Sequence, residues 1–282
     1  MRNRSRFARR RPMARLMAVT SFFIAASAVS TGAKAQNGSS SSCQPLYLVF
    51  DTAHMAAAPM VAESLRRQGV RATFFGGNEG SARGEGSLSR RWAPWWKARA
   101  ADGHEFAAQT WDMAQWRGDL PGREARFRIR PGEGAFAGRE FTWTAAKYCE
   151  NIAFTAERLA YYSGKQPLPL FRAAGGKTSP RLLAAAKACG YRHVEWKPVH
   201  FLSRGMPDSQ TPNAAFMEQA LKGVQAGDVL LAGTSTWASQ EAWAPALLGP
   251  LLAGLKARGF CFRTLREHPD YQDWIAQRTS QP

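Results

Sequence analysis

The sequence predicts an α/β protein whose parallel strands form a barrel. Short apolar runs of buried-strand type recur along the chain, and each ends at a polar residue or a glycine. Helical patterns accompany these runs, which is the arrangement of βαβ units in a parallel sheet. Barrel enzymes hold their chemistry just past the carboxyl ends of such strands, so those positions form the candidate site.

The first βαβ unit begins with the run Leu46–Phe50, which ends directly at Asp51. Apolar residues at helical spacing follow as far as Gly69, and the run Val70–Phe75 predicts the second strand. Asp51 is therefore expected at the carboxyl end of a parallel strand, where a functional carboxylate would lie.

Two later segments repeat this pattern. The run Leu168–Phe171 precedes Arg172 and a predicted helix over Pro180–Cys189. The run Asp228–Ala232 precedes Gly233. We expect both residues that follow these runs at the same end of the barrel as the first carboxylate.

Five segments follow one another in order along the chain: Phe50–Thr52, Gly69–Phe75, Asp102–Met113, Phe171–Gly176 and Gly227–Leu231. Together they resemble the motifs of the polysaccharide deacetylases, the NodB homology family or carbohydrate esterase family 4. The resemblance spans about residues 44–266 and implies a distorted (β/α)7-type barrel. It is stronger evidence for a common fold than for a common activity, because one fold hosts many functions.

The resemblance assigns roles to two residues at the strand ends. Asp51 matches the family's general base, and Arg172 matches the arginine that holds this base. Without the family, an aspartate near an arginine at strand ends is more often a structural ion pair. Both interpretations stay open at this stage.

The matched positions of the metal ligands and of the acid all depart from the family, and Ala174 replaces a proline expected after Arg172. Thr52, Gln109 and Met113 occupy the positions of the metal ligands. Gly233 occupies the position of the histidine that would protonate the leaving amine. In the family the second and third ligands are histidines four residues apart, a spacing that places both on one face of a helical turn. An amide oxygen and a thioether are poor ligands for a zinc-like ion, so we expect no cofactor.

Three histidines are the alternative source of a metal site. His54, His104 and His193 lie nearest to the motifs in sequence. They lack ligand spacing, and lone histidines are usually hydrogen-bonded or exposed. A divalent cation such as zinc is therefore expected only if the protein is active through a displaced site.

The amino terminus has the features of a secretory signal peptide over residues 1–35. Residues 1–15 hold seven arginines and no acid, residues 16–32 are small or apolar, and Ala33-Lys-Ala35 is a cleavage sequence. An uncleaved anchor is the alternative. We expect a polar segment over 36–43, one domain over 44–282, and a secreted or periplasmic location. Removing the seven Arg and one Lys of residues 1–35 lowers the formal charge from +17 by eight to +9.

Four cysteines, an even number, suit an oxidising compartment. Cys43 precedes the first predicted strand and Cys261 lies in the last one, and these two strands would be neighbours in a closing barrel. The preferred pairing of the three possible is therefore Cys43 with Cys261 and Cys149 with Cys189. Four buried thiols are the alternative.

An insertion after the second motif carries unusual charge. Residues 117–139 contain six arginines, and the stretch Arg126–Arg130 alternates as a strand does. A turn at Gly132–Gly134 and an extended run at Arg139–Thr142 complete a predicted β-hairpin. Tryptophans near the motifs could stack on sugar rings, although tryptophan is more often a core residue. The candidate glycan contacts are Trp111, Trp116, Trp237, Arg126, Arg128 and Arg130.

These observations predict an exported glycan-binding pseudoenzyme. The expected partner is a cell-envelope polysaccharide or peptidoglycan-like glycan, with no nucleic acid and no stable membrane insertion after signal cleavage. The basic balance favours anionic envelope polymers over polycationic deacetylated glycans. The alternatives are an active deacetylase with a displaced metal site, a metal-free esterase that uses Asp51 as base, and a structural or regulatory partner of an active paralogue.

Overall fold

The computed structural model describes residues 43–52, 54–81, 84–195, 221–234 and 244–280. The predicted signal peptide and Trp237 lie outside these residues. The strands are β1 Gln44–Asp51, β2 Thr73–Gly76, β3 Glu105–Gln109, β4 Gln115–Asp119, β5 Arg126–Arg130, β6 Phe141–Thr144, β7 Leu170–Arg172, β8 Arg192–His193, β9 Val229–Gly233 and β10 Phe260–Arg263. The α-helices are α1 Ala58–Arg67, α2 Ala93–Ala101, α3 Ala145–Ser163, α4 Pro180–Ala188, α5 Ala244–Ala257 and α6 Pro269–Thr279.

A curled parallel sheet with surrounding helices confirms the predicted barrel fold. Its order is β10-β1-β2-β3-β7-β8, and β9 also pairs with β1. Every pairing in this sheet is parallel. The carboxyl ends of β1, β3, β7 and β9 therefore meet at one end of the barrel, as the sequence pattern predicts.

The side chains of β1 alternate between two cores, which decides where Asp51 lies. Leu46, Leu48 and Phe50 belong to an outer core between the sheet and helices α1, α2 and α5. Tyr47 and Val49 belong to an inner core that includes residues of α6. Because side chains alternate with a period of two along a strand, the inner face also receives Asp51.

The second strand is shorter than the sequence predicts. The sequence predicts a strand over the whole run Val70–Phe75, but β2 begins only at Thr73. Residues Val70 and Ala72 are buried in the outer core without belonging to a strand. Hydrophobicity alone therefore indicates burial here and does not fix the strand boundary.

The predicted hairpin is part of a three-stranded antiparallel sheet, β4-β5-β6. Strand β5 pairs with β6 as expected, with Arg128 opposite Thr142. Strand β4, which the sequence analysis did not include, pairs with the other edge of β5. Phe127 and Ile129 of β5 are buried against α3, so this sheet is anchored to the barrel through its inner face.

Both predicted disulfides are present. Cys43 pairs with Cys261, and Cys149 pairs with Cys189. The first bond joins the start of β1 to β10, where Pro45 lies opposite Cys261 in the register. The second bond joins α3 to the end of α4, so each bond connects elements that are distant in sequence.

Candidate functional site

Asp51 and Arg172 form an ion pair at the carboxyl end of the barrel. The Nη1 atom of Arg172 donates to Oδ1 of Asp51 at 2.5 Å. The Arg172 side chain is 1% exposed, and that of Asp51 is 25% exposed. The guanidinium carbon also lies 4.1 Å from the ring centroid of Phe75, a cation–π geometry. The barrel therefore holds this carboxylate in place and leaves part of it accessible.

Burial governs the ionisation of this pair. Burial raises the pKa of Asp51 above its ordinary value, and the charge and hydrogen bond of Arg172 oppose that shift. Burial likewise lowers the pKa of Arg172, against the opposing effect of Asp51. A carboxylate with a raised pKa is a stronger proton acceptor, so the geometry is compatible with the role of a base.

Thr52 does not offer a ligand to the interior of the barrel. Its backbone N–H and its Oγ1 both donate to the carbonyl oxygen of Phe75, at 2.9 Å and 3.1 Å. The residue is fully buried. The hydroxyl therefore stabilises the end of β1 against β2, and it is a neutral group where the family has a carboxylate.

Gln109 and Met113 lie together, but not on a helical turn. Gln109 is the last residue of β3, and Met113 ends a short 3-10 segment in which Asp112 and Met113 have φ values of 51° and 49°. The expectation of one regular helical turn is therefore wrong. The two side chains still converge, because a Cβ added to Gly77 would lie 3.0 Å from both Gln109 Oε1 and Met113 Sδ. Gln109 is buried, and its Oε1 has no hydrogen-bond partner among the described residues.

Gly233 lies at the carboxyl end of β9, opposite Asp51 in the register. The following residue, Thr234, donates its backbone N–H to the carbonyl oxygen of Asp51 at 3.0 Å. The position that matches the family's acid thus lies beside Asp51, as the resemblance implies. Glycine supplies no side chain there that could protonate a leaving group.

The three histidines considered as substitutes are not brought together. His54 is exposed, whereas His104 is buried and its Nδ1 accepts from the backbone N–H of Ala72 at 3.0 Å, before β2 begins. His193 packs on the ring of Phe171. Phe171 belongs to a third hydrophobic cluster, not to the inner core that contains Tyr47 and Val49. Burial lowers the pKa of both His104 and His193 to about 4. In the part of the chain that the structure describes, no group of three or more His, Cys, Asp or Glu residues could hold a metal ion.

Three carboxylates near the site escaped the sequence analysis. Glu79 follows β2, and burial, with repulsion from Asp51 and Glu133, raises its pKa to about 8. Burial also raises the pKa of Asp112, whose Oδ1 accepts from Asn78 at 2.9 Å. The position of Glu79 just past a predicted strand was a signal that could have identified it.

Glu133 was not predictable in this way, because it belongs to the insertion. Its Oε2 accepts from the backbone N–H of Gly80 at 3.3 Å. Its own N–H donates to the carbonyl oxygen of Asp112 at 3.0 Å. The loop between β5 and β6 therefore contacts the loops that follow β2 and β3, and the insertion borders the candidate site.

The predicted glycan contacts occupy different environments. Trp111 packs edge-on against Phe154 of α3, with ring centroids 4.7 Å apart. Trp116 lies in β4 and its Nε1 donates to Asp119 Oδ1 at 3.0 Å. The side chains of β5 that are exposed on the outer face are those of Arg126, Arg128 and Arg130.

The family model of polysaccharide deacetylases matches residues 38–194, more than half of the chain. A comparison with curated protein sequences gives no match. Among solved structures, PdaA of Bacillus subtilis, a family 4 carbohydrate esterase, is 20% identical with a TM-score of 0.58, covering 81% of this chain and 82% of its own. A family 4 acetyl xylan esterase of Clostridium thermocellum is also 20% identical, with a TM-score of 0.57 and coverages of 81% and 92%.

A third similar structure is BA3943 of Bacillus anthracis, described as a pseudoenzyme of the same family. It is 12% identical with a TM-score of 0.56, covering 80% of this chain and 66% of its own. A mutant of it is described as having restored enzymatic activity. At these identities the likeness shows the fold alone. Together with the match of the family model, it shows that the chain belongs to the polysaccharide deacetylase family, carbohydrate esterase family 4.

Proposed function

We propose that this protein is an exported glycan-binding member of the family that has lost metal-dependent deacetylation. The observation that carries the proposal is the chemistry of the matched ligand positions. The Thr52 hydroxyl donates to a backbone carbonyl, and Gln109 and Met113 present an amide and a thioether. These groups do not fit a zinc-like ion, so no step of a reaction is assigned to a metal here.

The retained features support binding of a glycan. The barrel still presents a partly accessible carboxylate in Asp51, held by a buried arginine. One similar structure is described as a peptidoglycan N-acetylglucosamine deacetylase, which supports a cell-wall glycan as the ligand class. No described helix has both the length and the apolar character needed to span a membrane. Both disulfides are compatible with an oxidising compartment, and so support export.

The first experiment measures metal content and acetate release from the purified mature protein. We expect no stoichiometric zinc and no acetate from acetylated chito-oligosaccharides, together with retention on insoluble peptidoglycan or chitin. Stoichiometric metal with acetate release that a chelator abolishes would establish an active deacetylase instead. No retention on either glycan would favour a structural or regulatory partner of an active paralogue.

Metal-free ester hydrolysis is a second candidate, favoured by the two carboxyl groups at this end of the barrel. Asp51 is held as a base, whereas the raised pKa of Glu79 keeps that carboxyl largely protonated at pH 7. Asp51 would take a proton from a water molecule while the oxygen of that water attacks the ester carbonyl. Glu79 would donate a proton to the departing alkoxide. Ester hydrolysis that persists with a chelator and disappears in Asp51→Asn would support this activity.

A further inference from the structure

The inner face of the barrel ends at its opening in a layer of four positions. Each lies two residues beyond a residue of the inner core, so alternation along its strand turns it inward. The four are Asp51 after Val49, Gln109 after Ala107, Arg172 after Leu170 and Gly233 after Leu231. Register places Gln109 opposite Arg172. Because Arg172 is already paired with Asp51, the layer offers a ligand the carboxylate of Asp51 and the amide of Gln109.

Gln109 contributes a buried oxygen without a donor. The residue is 1% exposed, and its Oε1 has no hydrogen-bond partner among the described residues. This oxygen lies beside Gly77, two residues before Glu79, since a Cβ added to Gly77 would be 3.0 Å from it. A buried acceptor without a donor is costly, so such a group indicates a donor that arrives from outside the protein. The layer therefore suits a ligand that carries N–H or O–H groups.

Three carboxyl groups border the same opening. They come from the loops after β2 and β3 and from the loop between β5 and β6, and all are partly exposed: Glu79, Asp112 and Glu133. Asn78 Nδ2 donates to Asp112 Oδ1 at 2.9 Å, and the Gly80 N–H donates to Glu133 Oε2 at 3.3 Å. The Glu133 N–H donates to the carbonyl oxygen of Asp112 at 3.0 Å, so the three loops hold these groups together. We give the name acidic opening to Asp51, Gln109, Glu79, Asp112 and Glu133.

The acidic opening differs in sign from the chain as a whole, whose formal charge is +17. Repulsion from Asp51 and Glu133 adds to burial in raising the pKa of Glu79. Among the described residues no lysine, arginine or histidine opposes that shift. His54 and Lys177, which are exposed in the loops after β1 and β7, do not lower it. A bound cation would offset the repulsion between these carboxyl groups.

The spacing of the carboxyl groups selects the kind of cation. In the described part of the chain, no three His, Cys, Asp or Glu side chains lie close enough to hold a metal ion. The carboxyl groups therefore surround an opening wider than the ligand sphere of a metal. An ammonium group on a larger molecule fits better, because its three N–H donors can reach Gln109 Oε1 and the carboxylates together.

We propose that the acidic opening binds the ammonium group of a deacetylated amino sugar. This inference rests on the proposed glycan binding and names the class of glycan. An N-acetyl group has one N–H, no charge and a carbonyl oxygen that finds no donor among these carboxylates, and a carboxylated sugar would be repelled. The preferred ligand is therefore the amine that deacetylation leaves on a sugar, and not its acetylated precursor.

The net positive charge of the chain does not oppose this assignment for a short ligand. Exposed charges more than about 8 Å away are largely screened at physiological salt, so the nearest carboxylates dominate. A long polycation would also meet arginines of the outer surface, such as those exposed along β5. The test therefore uses a trisaccharide.

Calorimetry compares the glucosamine trisaccharide with its fully N-acetylated form, on the disulfide-intact protein at about pH 6, where such amines are protonated. We expect the amine form to bind about tenfold tighter or more. Glu79→Gln/Glu133→Gln should remove most of this preference. The matched variant Glu124→Gln/Glu140→Gln changes two exposed acids of the same insertion and should keep it.

Gln109→Met tests the buried oxygen separately. Methionine keeps the length of the side chain and removes the acceptor, so the melting temperature of the free protein should stay the same or rise. The amine trisaccharide should bind severalfold more weakly. A lower melting temperature with unchanged binding would overturn the inference, because the oxygen would then have its partner within the free protein.

The outcomes separate this inference from the proposed function. Equal affinity for the two trisaccharides, or equal weakening in both double variants, would overturn the inference and leave glycan binding standing. Binding of neither trisaccharide would overturn both. Spermidine and a lysine-containing peptide serve as competitors. If either one binds as tightly as the amine trisaccharide, the opening accepts any ammonium group and the assignment to a sugar is wrong.

Discussion

Arg172 reaches across the barrel to Asp51 from a strand that is not its neighbour in the sheet. The two strands, β7 and β1, are separated by β2 and β3, and the Nη1–Oδ1 distance is 2.5 Å. The ion pair therefore connects opposite sides of the curled sheet at the end where the family performs its chemistry. The pair occupies the positions that match the family's base and its arginine, and it also connects two distant strands of the sheet.

The first prediction concerns the stability of this pair. Arg172→Met leaves Asp51 without its buried partner, so we expect the free energy of unfolding to fall by about 3 kcal/mol. Adding Asp51→Asn should recover part of this loss, because the unpaired charge is then removed. Urea denaturation of both single variants and the double variant gives the coupling energy. Additive losses would show that the pair contributes little.

The second prediction concerns Glu79, whose pKa is raised from 4.5 to about 8. The folded state then holds a proton that the unfolded state has lost, so the free energy of unfolding should fall as pH rises from about 4.5 to about 8. Glu79→Gln removes this effect. Since one pKa unit corresponds to about 1.4 kcal/mol and partial exposure reduces the effect, we expect the variant to be more stable than wild type by about 1–3 kcal/mol at pH 8.5.

Urea denaturation at pH 4 and pH 8.5 measures this difference, which should nearly vanish at the lower pH. Glu85→Gln is the matched control, because Glu85 is exposed in the same loop. An equal gain in both variants at pH 8.5 would contradict the assignment of the effect to Glu79.

The third prediction concerns the disulfides. Denatured protein kept from reducing agents should show no free thiol, and peptide mapping should link Cys43 to Cys261. The bond between Cys149 and Cys189 closes a sequence separation of 40 residues. Replacing both of these cysteines with serine should lower the free energy of unfolding by about 4 kcal/mol, the loop-closure entropy of such a loop. Four titratable thiols would contradict both the pairing and the support for export.

The fourth prediction restores the matched ligands. Thr52→Asp, Gln109→His and Met113→His together should raise the zinc content of the purified protein towards one ion per chain. The two imidazoles would converge at Gly77, where the present side chains already meet. Gly233→His should be required in addition before acetate is released, and turnover should stay low because the surrounding contacts no longer orient the ligands.

Elemental analysis and acetate release are measured for each variant, with wild type as the reference. Zinc binding by the triple variant without turnover, followed by turnover in the quadruple variant, is the expected order. Zinc in wild type at the level of the triple variant would contradict the assignment of the lost ligands.

Local patterns were sufficient to predict several elements of this protein. The apolar run before Asp51, the alternation over Arg126–Arg130 and the helix that begins at Pro180 are each encoded by neighbouring residues. Side-chain alternation and helical spacing act over a few residues, so sequence reveals them directly. The pairing of Cys43 with Cys261 was also predicted, since it required only that the first and last strands be neighbours.

Other features required the tertiary structure. Gln109 and Met113 were expected on one helical turn, yet they meet at Gly77 because a strand end and a left-handed segment bring them together. Burial raises the pKa of Glu79, and repulsion from Asp51 and Glu133 raises it further. Both carboxylates are distant from Glu79 in the chain or belong to other loops, and the sequence contains no measure of burial. The sequence by itself determined which chemical groups stand at the positions that match the family's ligands, base and acid. Only the tertiary structure decided which groups lie together, because contact and desolvation depend on the packing of the whole chain.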